Sequence, residues 1–322
     1  MTPQERRSRV RKRKDSQQRN KVLLAVALAA LGVLLFSGWR LFSYLDDLRH
    51  SHSLDDELRA LYYQTEAPET AAPGETPSKA PTRTPRPLYA TATPVPPESA
   101  TFAPQPYPDN PTRKTDTAIN RLQRNINRDI VGWLSIDGLL DQAVVQRDND
   151  YYLRRDYKGY HNQNGSIFLD EAIGLYSRPY TITLYGHNMK SGAMFGCLRQ
   201  FENLSYYKRS PFLSFSSLYE QGRYVIFAVS QVTTVQGEKH FIAFNALPFA
   251  TLSERRAIIS DILRVSILTT PIDVQPDDQL LLMVTCSGDE TERRLVCARR
   301  LREDETEASL LQTIQRTTKK AE

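Results

Sequence analysis

Leu280-Leu281-Leu282-Met283-Val284-Thr285-Cys286-Ser287-Gly288 runs from an unbroken apolar segment into a Thr-Cys pair and a turn. A short apolar run without alternation reads as a strand buried on both faces. The thiol of Cys286 therefore stands at the end of a core strand. Only a thiolate is strongly nucleophilic, so a working cysteine needs a cation or base beside it.

Working outward, apolar or alternating runs recur at Ile130 to Ile136, Ala143 to Gln146, Ser166 to Leu169, Tyr180 to Tyr185, Tyr224 to Thr234, Gln279 to Cys286 and Leu295 to Leu301, with turn residues between them. Two helical stretches interrupt them, one near Met194 to Leu204 and one from about Glu254 to Leu263, with Ser253 as its N-cap. Ile119, Leu122 and Ile126 have helical spacing behind Thr115 and Asp116. Many short strands with inserted helices predict a mainly β domain, a barrel or a sandwich.

Two further residues bear on the thiol. His187 follows the strand Tyr180 to Tyr185 directly, in Leu184-Tyr185-Gly186-His187-Asn188-Met189. A histidine at a strand end beside glycine suits a site better than a core. Arg294, in Arg293-Arg294-Leu295-Val296, opens the strand after Cys286 and can donate hydrogen bonds to a developing oxyanion. His50 and His52 lie in the N-terminal third, and His161 and His240 lie in polar loop surroundings, so each reads as a surface residue.

Taken in order, Tyr185-Gly186-His187-Asn188-Met189, Met194-Phe195-Gly196, Val284-Thr285-Cys286 and Arg294-Leu295-Val296 resemble the sortases, class B above all. Asn127-Arg128-Asp129-Ile130-Val131-Gly132-Trp133-Leu134 and Gly165-Ser166-Ile167-Phe168-Leu169-Asp170 are similar to the same class. The resemblance implies a closed β-barrel of about eight strands. It implies Cys286 as nucleophile, His187 as general acid and base, Arg294 as clamp and oxyanion donor, and Thr285 and Asn188 as substrate-binding neighbours. Arg293 is expected to point the other way from Arg294. Where the family often has Thr-Leu-Ser-Thr-Cys, this chain has Leu282-Met283-Val284-Thr285-Cys286, without a hydroxyl at Val284. The activity implied is transpeptidation: cleavage of a C-terminal sorting motif after Thr and transfer to an amine of peptidoglycan or a pilin lysine. No cofactor or metal is implied. A thiol peptidase, an inactive adaptor that binds sorting peptides and a stalked structural protein are the rival readings.

Three cysteines are an odd number for an exported chain, so at least one lacks an intrachain partner. Along the last strand Cys297 alternates away from Arg294. Cys197 reads as a small packed side chain.

The N-terminal third is of a different kind. Residues 1–21 carry nine Lys/Arg against Glu5 and Asp15, so the chain's +5 becomes −2 without them. They precede an uncharged run, 22–39, long enough for a spanning helix. That order favours a membrane anchor with the N-terminus inside and the remainder outside over a nucleic-acid tail. Leu41, Leu45, Leu48, Leu54, Leu58 and Leu61 predict an amphipathic helix in 40–65, lying on a membrane, paired with a copy of itself, or standing as a solvated stalk. Thirteen of the 19 prolines fall between Pro68 and Pro111, so 66–114 reads as a disordered Pro/Thr-rich linker with reach through a cell wall. The catalytic domain is expected at 115–302, followed by a polar tail, 303–322, with helical potential.

Overall fold

The computed structural model describes residues 23–24, 26, 28–43, 53–64, 107, 110, 112–286 and 291–321. Eight strands close into the expected barrel: β1 (Ile130–Ile136), β2 (Leu140–Val145), β3 (Ile167–Leu169), β4 (Thr181–Tyr185), β5 (Phe212–Ser217), β6 (Gln221–Thr233), β8 (Leu280–Cys286) and β9 (Glu292–Arg300), in the spatial order β1-β2-β3-β4-β8-β9-β6-β5. β1 pairs with β5 and completes the circle, which leaves no open sheet edge. β4 and β8 are parallel neighbours, and β8 and β9 are antiparallel. Leu280, Leu281, Leu282 and Met283 are fully buried, as their unbroken apolar run requires. β5 is the strand that the pattern of runs missed. Its Phe212, Leu213 and Phe215 are buried, but serines at 214, 216 and 217 dilute the apolar signal.

The helices differ from expectation in ways that local chemistry explains. The stretch near Met194 splits into a 3₁₀ segment, Phe195–Glu202, and α3 (Leu204–Arg209), because the Asn203 side chain caps Ser205 and Tyr206 and restarts the helix. α4 (Leu252–Val265) begins at Thr251 and not at Ser253. Thr251 has Glu254 three residues on, and the two form a reciprocal capping box. Arg255 of α4 is fully buried and donates to the carbonyls of Pro276 (2.6 Å) and Leu247 (3.0 Å) and to the Thr181 hydroxyl (2.6 Å), which pins α4 to the start of β4. The last residues form α5 (Glu307–Thr317), with Ile314 in the main core, and β10 (Lys319–Lys320), which pairs with β7 (Leu268–Thr269).

α1 (53–62) and α2 (Thr117–Asn125) lie against the outside of the barrel. Leu54 and Leu58 are buried in a second cluster with Leu122, Trp133, Tyr152, Tyr157 and Phe168. The Tyr62 ring stacks on Trp133 at 4.1 Å, and Arg59 pairs with Asp141 at 3.0 Å. Over residues 53–64 of the expected amphipathic helix the apolar face is thus covered by the barrel wall, whereas Leu41 is exposed. Leu45 and Leu48 lie outside the described residues, as does most of the Pro/Thr-rich stretch.

The chain divides into two compact units, Met1–Ser53 and Leu54–Glu322. In the first, residues 28–43 are helical with exposed apolar side chains such as Leu34 and Trp39. Among the described residues no helix is long and apolar enough to cross a membrane. Val22, where the expected span begins, lies outside them.

Candidate active site

Strand register brings the site together. In the parallel β4·β8 pair Tyr185 faces Val284, and the Gly186 amide donates to the Val284 carbonyl at 3.2 Å. His187 follows Gly186 just beyond the end of β4, and Cys286 is the last residue of β8, so both stand at the same end of the barrel. In the antiparallel β8·β9 pair Cys286 faces Arg293 and Thr285 faces Arg294. Opposed residues share a face of the sheet. Cys286 is described as the last residue of β8, and its side chain lies outside the described atoms.

Gly186 owes its place to close packing and not to a turn. A Cβ there would sit 2.9 Å from the Phe195 ring. At Gly196 a Cβ would collide with the Met189 carbonyl, so both glycines let the His187 loop close over the 3₁₀ segment that follows. His187 Nε2 lies 2.6 Å from the Leu153 carbonyl oxygen. With Nε2–H as donor, that bond fixes the ring and leaves Nδ1 for chemistry.

A groove of about 270 Å³ opens beside these residues, lined by Asn149, Leu153, Phe168, Tyr185, Gly186, His187, Val284, Thr285 and Arg293. Tyr185 donates to Asp170 at 2.9 Å; burial first, then the Asp170 charge, raises its hydroxyl well above the usual phenol range. The apolar Val284 stands in the groove wall.

The two arginines divide as alternation requires. Arg293 lines the groove with His187. Arg294 is buried on the other face, where Nε donates to Glu202 at 2.7 Å and Nη1 to Asn188 Oδ1 at 3.2 Å. The structure therefore joins Asn188 to Arg294 and places Thr285 and His187 in one groove. Tyr185, from the same motif as His187, and Arg293, the less expected clamp, belong to the same neighbourhood, as do Asn149, Leu153 and Glu202, which carry no sequence signal. Glu202 is 92 residues from Arg294 in the chain, and no local spacing signals such a pair.

Cys197 and Cys297 are free and buried. Burial pushes the Cys197 thiol up to about 12 and the Cys297 thiol higher still, so neither is a nucleophile near neutral pH. Among the described residues no group of three or more His, Cys, Asp or Glu is placed to hold a metal ion.

No family model matches the chain. A crystal structure of a Bacillus anthracis protein, similar to sortase B, is 30% identical with a TM-score of 0.53, and the match covers 62% of this chain and 89% of that one. The chain belongs to the class B sortases. Sortase B of Listeria monocytogenes is 27% identical over 264 residues, 81% of this chain and 88% of that protein. The fold is also that of the Staphylococcus aureus sortase B–substrate complex, 24% identical with a TM-score of 0.52, over 60% of this chain and 88% of that one. For this sortase, then, the barrel is a feature shared with its relatives.

Proposed function

We propose that this sortase is a cysteine transpeptidase that cuts a C-terminal sorting motif of exported proteins after Thr and joins the new end to an amine of peptidoglycan or a pilin lysine. The observation that supports the reading is the parallel pairing of β4 and β8, whose ends lead to His187 and to Cys286, beside a groove lined by His187, Thr285 and Arg293. That a related sortase B forms a complex with a substrate supports the groove as the peptide site.

His187 takes the Cys286 thiol proton as Sγ attacks the Thr carbonyl carbon, and the electron pair of the C=O moves to oxygen. Guanidinium donors from β9 hold that oxyanion; Arg294 fills the role by family pattern, and Arg293 already faces the groove. The C–N bond breaks as His187 gives its proton to the leaving amine. The thioester then meets an incoming primary amine, His187 takes the proton, an amide forms and the thiol is restored. Asn188 orients Arg294, and Thr285 contributes to the groove wall.

The same reading puts the catalytic unit outside the cell behind a single N-terminal anchor. The basic 1–21 segment followed by the apolar run from residue 22 supports this. Incubation of the full chain with Thr-containing sorting peptides, with and without a candidate amine, tests the reaction. Amine-ligated product is expected. Hydrolysed peptide alone at every amine concentration identifies a thiol peptidase instead.

A further inference from the structure

One feature of the molecule is not used by the reaction itself, namely the attachment of α1 to the barrel wall. Tyr157 donates its hydroxyl to the Leu54 carbonyl at 3.0 Å, and Lys158 pairs with Glu57 at 2.9 Å. Tyr157 and Tyr152 pack with Leu54 and Leu58, and Leu153 packs on the same cluster. Leu153 lies in the 3₁₀ segment Tyr151–Arg154, and its carbonyl is the one 2.6 Å from His187 Nε2. A continuous packed path thus runs from the apolar face of α1 through the tyrosines to the atom that holds the histidine.

The chain on either side of the Pro/Thr-rich stretch is also fixed to this unit. At Gln64 its carbonyl accepts from Arg121 at 3.0 Å. At Tyr107 the side chain is buried beside Tyr219 and donates to the Leu175 carbonyl. Whatever lies between therefore leaves from and returns to one body, and its length sets no distance between that body and the residues before α1.

We propose that α1 is a positioning element of the active site, acting on His187 through Tyr157, Tyr152 and the Leu153 carbonyl, and that the Pro/Thr-rich stretch is an excursion from the catalytic unit and not its stalk. The proposal rests on the transpeptidase reading only for its kinetic consequence. The unit that carries activity begins at α1, and a domain cut at Thr115 would expose Trp133, Leu122 and Tyr157.

The test uses the full chain with Leu58→Asp, with Leu58→Met, and with 68–104 replaced by about a dozen Gly/Ser residues. Buried Cys197 and Cys297 report on the barrel through a thiol reagent, and the His187 ring nitrogens report by NMR without substrate. Leu58→Asp is expected to lower thioester formation more than tenfold and to average the two ring-nitrogen signals, with both cysteines still protected. Leu58→Met and the linker replacement are each expected to stay within twofold of the parent, and a free peptide of residues 53–64 should restore part of the Leu58→Asp loss. An unchanged His187 signature in Leu58→Asp, or a loss that comes only with Cys297 labelling, overturns the positioning role. Tenfold loss on linker replacement overturns the excursion. A parent that forms no thioester with any peptide contradicts the transpeptidase reading, while the NMR result still decides the role of α1.

Discussion

The two hydrophobic clusters support the two halves of the proposed catalytic pair by different means. The larger fills the barrel and includes Leu282, Met283, Val284 and Leu184, so it fixes the strand ends where Cys286 and His187 emerge. The smaller lies outside the barrel wall under α1 and α2, and fixes the Leu153 carbonyl that steadies the His187 ring. The inner cluster is made by strands that pair whatever precedes them. The outer one needs Leu54 to find Tyr157 across 103 residues of chain. Stability and catalytic alignment are thus partly separable here, and substitutions can be chosen to affect one without the other.

The largest separation is expected at the chemistry itself. His187→Ala should lower thioester formation by about 10³-fold or more with no change in melting temperature, since it removes the proposed acid and base and leaves both clusters whole. Leu282→Ala should do the opposite. Opening the inner cluster costs about 3 kcal/mol, lowers the melting temperature, and exposes Cys297, the partner of Leu282 across β8 and β9, to thiol reagents.

The arginines come next. Arg294→Ala is expected to reduce kcat/KM by about 10²-fold, the scale of a lost oxyanion donor, and Arg293→Ala by about tenfold, as the loss of one groove contact. If the two values exchange, Arg293 is the oxyanion donor and Arg294, braced by Glu202 and Asn188, is structural.

Much of this was legible in the sequence, and the exceptions share a cause. The apolar run ending at Cys286 and the strand ending at Gly186-His187 declare themselves by composition, because a core strand needs continuous apolar residues. The eight-stranded closure was implied by the family resemblance and holds. β5 escaped because alternate serines weaken its signal. Glu202, Arg293 and the covering of α1 escaped because each is a tertiary event: an ion pair formed far along the chain, a face set by register, and a helix docked on a wall built from later residues. Leu54, Leu58 and Leu61 gave the apolar face, but periodicity names a face and not its partner.

The smallest expected effect is a pH dependence of the outer cluster alone. Burial pushes the Asp55 carboxyl up to about 7, against the pull of Arg59 and the Gln142 amide and with help from the Asp56 charge. Arg59 is shared with Asp141, while Glu57 of the same helix faces Lys158. A carboxyl raised in the docked state binds a proton that the free helix releases. Docking is therefore strongest in the acid range and weakens as pH rises toward about 7, above which the full cost of the buried charge is present. Asp55→Asn should raise the melting temperature by a few degrees at pH 8, about 1 kcal/mol, and leave it unchanged near pH 4. An equal gain at both pH values removes the charge from the account.

The central claim is that Cys286, alone among the three cysteines, carries the acyl group beside His187. Intact-mass and peptide-mapping analysis of the full chain, quenched in acid after brief exposure to a cleavable sorting peptide without amine, tests it directly. One acyl adduct confined to Cys286, absent in Cys286→Ala and discharged by added amine, is the predicted result. An adduct on Cys197 or Cys297, or acyl transfer that persists in Cys286→Ala, contradicts it.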